Sequence, residues 1–175
     1  MSETPSGLDD GRQLAEGYAV LARCWRRPTA DLLDAAADAL GRIDPAVRDA
    51  AVSPLRAEHA RLFVGPGEPT CPPYESVYRD ENGAVLGPST RDVVEWYRAY
   101  DLGLDPDWPD LPDHVATELE FAAYLLDRGE PEACERFLDE HPRQWLGEFL
   151  ADVERETSEP YYAALARATA TAVDL

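Results

Sequence analysis

Residues 112–128, PDHVATELEFAAYLLDR, decide the fold class. After Pro112 the apolar side chains return every three or four residues, so the segment reads as a long helix. His114, Glu118, Phe121 and Leu125 follow one another at spacings of four, three and four and share a face. Val115, Leu119, Ala122 and Leu126 run beside them, which places the imidazole and one carboxylate at the N-terminal margin of a wide apolar stripe. Asp113 falls in the first turn, where the helix dipole favours a carboxylate by about 0.3–1 kcal/mol.

The same period recurs on both sides. An amphipathic helix is expected over residues 10–26, with Leu14, Tyr18, Leu21 and Trp25 on one face. Thr29 is placed to cap a second helix through residue 40, Asp44-Pro45 opens a short third, and Ser53-Pro54 opens a fourth that Gly65-Pro66-Gly67 ends. Ser89 is expected to cap a helix with Val93, Trp96, Tyr97 and Tyr100 on one face. Three more are expected over 131–140, 142–157 and from 158 onward. With no strand run of useful length, the expected fold is all-α: a single globular bundle of about eight or nine helices over residues 1–175, with 1–9 disordered. Residues 65–88, with five Pro and four Gly, read as one long ordered loop, with a brief extended pairing of 76–79 and 84–86 across Asn82-Gly83. Loops of that length in compact domains are usually functional.

Composition narrows the function. Thirty-five acidic residues oppose 16 basic ones, a formal charge of −19, and the chain has no lysine. Such a surface repels phosphates and anionic lipids, which excludes non-specific nucleic-acid binding as a leading reading. It resembles proteins of salt-accumulating microbes, whose carboxylates keep the surface hydrated when the Debye length falls to about 3 Å at 1 M salt. Cys24, Cys71 and Cys134 lack the spacing of a disulfide framework or a zinc site. No signal sequence opens the chain, and no stretch of about 18 apolar residues offers a membrane span. A soluble cytoplasmic protein is expected.

Two constellations could carry chemistry. His114 and Glu118 could be metal ligands or an acid–base pair, but there is no HExxH, no pair of Glu-x-x-His motifs, and only three His in the chain. They could also cap or hydrogen-bond a neighbouring loop, or form a polar recognition patch beside an apolar groove. In the loop, Pro72-Pro73 holds the backbone extended and fixes Tyr74 and Tyr78, with Ser76 between them. Aromatic side chains with polar tips suit a binding groove or a packed loop equally. The Gly-Pro-Gly-Glu-Pro run is no phosphate cradle, since it lacks the P-loop Lys and its Glu68 would repel phosphate.

Leu62-Phe63-Val64-Gly65, Pro72-Pro73-Tyr74-Glu75-Ser76-Val77-Tyr78, Gly87-x-Ser89-Thr90 and Pro112-Asp113-His114 with Glu118-Leu119-Glu120-Phe121 occur in that order. Together they resemble the TorD/DmsD family of cytoplasmic chaperones for molybdenum enzymes of the dimethyl-sulfoxide-reductase type. The resemblance covers about residues 55–126. It implies an all-helical, non-catalytic protein without cofactor or metal. Its partner would be a client molybdenum reductase, held through its twin-arginine signal peptide or its mature part until cofactor insertion is complete. It also implies that Asp113 and His114 match the family's peptide-recognition element. A twin-arginine peptide needs carboxylates beside an apolar groove. Asp113, Glu118 and Glu75 are candidates for the first, and Phe121, Tyr74, Tyr78 and Trp96 for the second, with Ser76 adjacent. An assembly chaperone of a nitrate-reductase-like complex without an export role, and a small helical metal protein, are the alternatives.

Overall fold

Proline and short polar side chains set where the helices begin. The computed structural model describes residues 8–83, 85–103, 105–107 and 110–175, and among these it contains nine α-helices and no strand. They are α1 (Leu8–Cys24), α2 (Ala30–Gly41), α3 (Val52–His59), α4 (Glu75–Arg79), α5 (Pro88–Ala99), α6 (Val115–Asp127), α7 (Pro131–Glu140), α8 (Pro142–Glu156) and α9 (Pro160–Ala172). Pro opens α5, α7, α8 and α9, where its missing N–H costs nothing. Thr29 caps α2 by accepting from the Leu32 N–H, and Asp44 caps the 3₁₀ turn Pro45–Asp49 by accepting from Ala46.

The expected disordered segment 1–9 falls mostly outside the described residues; Leu8 and Asp9 already belong to α1. α1 buries Ala15, Tyr18, Ala22 and Trp25 lies buried just after it, while Leu14 is 57% exposed, so its inner face is rotated from the expected one. Ser53 is no cap either: α3 starts one residue earlier, behind Ala51.

The largest correction concerns residues 65–88. Instead of an extended pairing, Glu75–Arg79 is a short helix, and Glu81–Gly83 is a 3₁₀ turn with Asn82 in the left-handed region at φ 74°. Ala84, part of the expected pairing, lies outside the described residues. A π-type turn, Ala60–Val64, ends at Gly65, whose φ of 111° only glycine holds without strain. The start of α5 is closed by Asp80 rather than by Ser89. The Asp80 carboxylate accepts from the Ser89 N–H at 3.2 Å and from its hydroxyl at 2.8 Å. Asp80 lies directly over Gly87, where any side chain would collide with the carboxylate.

α6 is buried nearly all round, as a helix apolar on most faces must be. Its most extensive partner is α1, and α7 and α8 also pack against it. Two aromatic groups fill the core. Trp25, Phe63, Phe149 and Tyr162 join α1, the π-type turn, α8 and α9, with centroids 5.2–6.2 Å apart. Phe121 of α6 stands edge-on to Tyr97 of α5 at 4.9 Å and to Phe137 of α7 at 4.8 Å. Burying each such ring contributes on the order of 1.5–3 kcal/mol. The three cysteines are buried and free, and burial raises the Cys71 thiol to about 11, far from reactive.

Candidate functional site

The proline-rich loop and the start of α6 are sewn together by backbone. Pro72-Pro73 delivers Tyr74 extended, at φ −129° and ψ 132°, into an antiparallel bridge with His114. The Glu75 N–H donates to the Asp113 carbonyl, and the Val115 N–H donates to the Pro73 carbonyl, each at 3.0 Å. This pairing keeps Pro112, Asp113 and His114 out of the helix they were expected to begin.

Each motif side chain then closes a helix end. Asp113 Oδ2 accepts from the Ser76 N–H at 2.9 Å, satisfying an orphan donor in the first turn of α4. His114 caps α6: its Nδ1 accepts from the Ala116 N–H at 3.0 Å, and its ring stands edge-on to Tyr74 at 5.3 Å. Burial pushes the His114 imidazole down to about 4, with Asp110 opposing and Arg26 and His59 reinforcing the shift, so the ring is neutral at pH 7.

Beneath this joint lie two carboxyl groups. Glu75 and Glu118 are essentially without exposed surface and interact with each other. Desolvation, then the neighbouring Glu75 charge, raises Glu118 well above the usual carboxyl range. Burial would raise Glu75 too, but the hydrogen bonds with His141, the neighbouring Glu118 carboxyl and the pairing with Arg79 outweigh it and hold Glu75 low. Glu118 therefore carries the proton and Glu75 the charge. His141 Nδ1 lies 3.0 Å from both Glu75 oxygens, Arg79 pairs with Glu75 one turn on, and Trp145 donates to Glu118 Oε2 at 3.0 Å. A buried charge with such partners is held rigidly, and losing one partner is costly.

Of the residues picked from sequence, Tyr74, Glu75, Ser76, Asp113, His114 and Glu118 meet at this joint. Glu75, Ser76 and Asp113 have no exposed surface and Glu118 has 1%. In this conformation they shape the surface from behind. Tyr78 packs on Trp145 at 5.6 Å, and Phe121 lines a separate aromatic cup of about 210 Å³ with Tyr97 and Tyr124. Trp96 alone opens onto a large cleft, about 860 Å³, between α5 and α7. It is lined by Asp92 and Glu95 from α5 and by Arg136, Asp139 and Glu140 from α7, together with Arg79 and His141, the partners of Glu75.

His141, Arg79 and Trp145 are members of the joint that sequence reasoning missed. Arg79 stands four residues after Glu75 and would have been visible had α4 been read as a helix. His141 had no local signal, since its partner lies 66 positions away. Among the described residues, no group of three or more His, Cys, Asp or Glu is arranged to hold a metal ion.

The distinctive residues of this helical bundle build a rigid joint beside an open cleft. The family model described as nitrate reductase delta subunit matches residues 26–151, and the chain belongs to that family. Relatives carry chaperone names. The Tat proofreading chaperone DmsD of Salmonella paratyphi A is 31% identical over 105 residues, 60% of this chain and 52% of that protein, so the match spans about half the length of that relative. The selenate reductase assembly chaperone protein of Thauera selenatis is 31% identical over 166 residues, 86% of this chain and 82% of that one. A crystal structure of a candidate redox enzyme maturation protein from Archaeoglobus fulgidus superposes with a TM-score of 0.68 at 27% identity. It covers 92% of this chain and 94% of its own. Among the described residues, no helix is long and apolar enough to cross a membrane.

Proposed function

We propose that this protein is a maturation chaperone for a molybdenum-containing reductase, its residues forming one chaperone domain that works in the cytoplasm. It binds the client's twin-arginine signal peptide, its mature part, or both, and delays export until the cofactor is in place. The observation that carries the reading is the family match over residues 26–151, which contains both halves of the buried joint and the whole of the cleft above it. The joint supplies what a peptide-binding surface needs: aromatic side chains at fixed positions and carboxylates held behind them, so little ordering is required on binding. The charge and the absence of lysine support a salt-adapted source. In such a cytoplasm exposed ion pairs contribute little, and apolar contacts dominate client affinity.

Pull-down of the reductase from native extract, with the full-length client compared against one lacking its signal, tests the proposal. Capture of the full-length client and reduced capture of the shortened one is expected. Equal capture of both forms favours the alternative, an assembly role on the mature part without an export function. Capture of neither overturns the chaperone reading.

A further inference from the structure

The cleft above the joint already holds a guanidinium. The Arg136 Cζ atom sits 5.0 Å from the centroid of the Trp96 ring, and its Nε lies 3.9 Å from Glu140 Oε1. Glu140 is in turn fixed by Trp96, whose indole N–H donates to Oε2 at 2.8 Å. Indole face and carboxylate form a two-sided cradle suited to a planar cation, which stacks on the ring while its N–H edge faces the acid. Arg136 occupies it loosely: its side chain is 71% exposed, and the 3.9 Å separation is at the outer limit of an ion pair.

The surroundings favour more cation than the chain supplies. Asp92 and Glu95 line the same wall and make no ion pair among the described residues. Arg79 is committed to Glu75, and Asp139 to Arg143 at 2.8 Å. The cleft volume of about 860 Å³ also has room for several residues of an extended chain beside Arg136.

We propose that Arg136 is an intramolecular placeholder, and that the cleft takes an arginine-bearing peptide segment whose guanidinium displaces Arg136 from the Trp96–Glu140 cradle. This rests on the twin-arginine reading and gives it a place and a regulating element. Recognition is an exchange of one guanidinium for another, so the free protein's own side chain lowers the apparent affinity by the fraction of time it fills the cradle. A lysine ammonium neither stacks nor forks as a guanidinium does, so the exchange discriminates arginine from lysine.

Calorimetry with a synthetic peptide bearing Arg-Arg ahead of an apolar segment, and with its Lys-Lys analogue, tests the exchange. Arg136→Ala is expected to tighten the Arg-Arg peptide about three- to tenfold, the scale of one exposed cation–π contact and ion pair. Arg98→Ala removes the same charge from α5 outside the cleft lining and is expected to change affinity less than about twofold. Glu140→Gln is expected to weaken the Arg-Arg peptide while the Lys-Lys analogue changes less. Unchanged affinity in Arg136→Ala, or equal tightening in Arg98→Ala, overturns the placeholder while leaving signal-peptide binding intact. Failure of every variant to bind either peptide removes the signal-peptide reading and this inference together.

Discussion

The joint and the cleft sit one above the other and obey opposite rules. At the joint, Glu75, Asp113, His114 and Glu118 are buried, each has a fixed partner, and the backbone of two distant segments is paired. In the cleft, Arg136 and Glu140 are exposed and loosely paired, and Trp96 offers a large aromatic face. The contrast teaches that the most recognisable residues need not be the ones a partner touches. Specialised sequence marks where the fold is hard to build, while ordinary surface charge lines the cleft beside it.

The strongest way to break this comparison is to remove Glu75. Glu75→Ala leaves the Arg79 charge and the protonated Glu118 without their partner, and a loss of about 3–5 kcal/mol in urea unfolding is expected. A loss below about 1 kcal/mol would place the joint among ordinary surface pairs.

Acid should act next. His114 is neutral in the fold with its imidazole near 4, against about 6.5 unfolded, so its contribution is present above pH 6.5 and is lost as pH falls through 4. The linkage amounts to about 3 kcal/mol. His114→Asn, which can still cap α6 but does not titrate, is expected to flatten the unfolding curve between pH 6.5 and 4. Glu118 works in the other direction: its raised carboxyl stabilises the fold below the unfolded value and loses that contribution as pH climbs through its folded value.

Asp113→Ala orphans the Ser76 N–H at the start of α4 and should cost about 1–3 kcal/mol, with Asp113→Asn partly restoring it. As the peptide-recognition element that the family resemblance implies, Asp113 and His114 would be expected to matter for binding more than for the thermal midpoint. Burial of both side chains makes a lowered midpoint the expected outcome. Smallest of all, Arg136→Ala should lower unfolding free energy by about 1 kcal/mol, the worth of the exposed contact it removes, and Glu140→Gln by no more than that, so the fold stays intact for the binding measurement.

The sequence disclosed the helices wherever a proline or capping side chain met a full apolar period, as at Thr29, Asp44, Pro131 and Pro142. It disclosed that the Pro72–Tyr78 segment and the Asp113-His114 pair were special. It concealed α4, since five residues are too few to show a helical period and the prolines before them argue for an extended chain. It also concealed the true start of α6, because Pro112 carries a start signal that the bridge to Tyr74 overrides. The cleft was invisible for a different reason: Trp96, Arg136 and Glu140 come together only when α5 packs beside α7, and no local pattern records that meeting.

The ends of the fold are fastened to each other. The Tyr18 hydroxyl donates to the Ala172 carbonyl at 2.6 Å, and the Trp25 indole donates to Thr169 Oγ1 at 3.0 Å. Glu58 accepts from Thr157 and Ser158, close to 100 positions onward. Contacts of such sequence separation form late and slow folding, because a long loop must close before they contribute. During synthesis, α1 can meet its main partner α6 before α9 emerges, and only its contacts with α9 wait for the end of translation. Until α9 docks, the nascent chain keeps part of its apolar surface exposed, and in that interval it is itself open to misassembly.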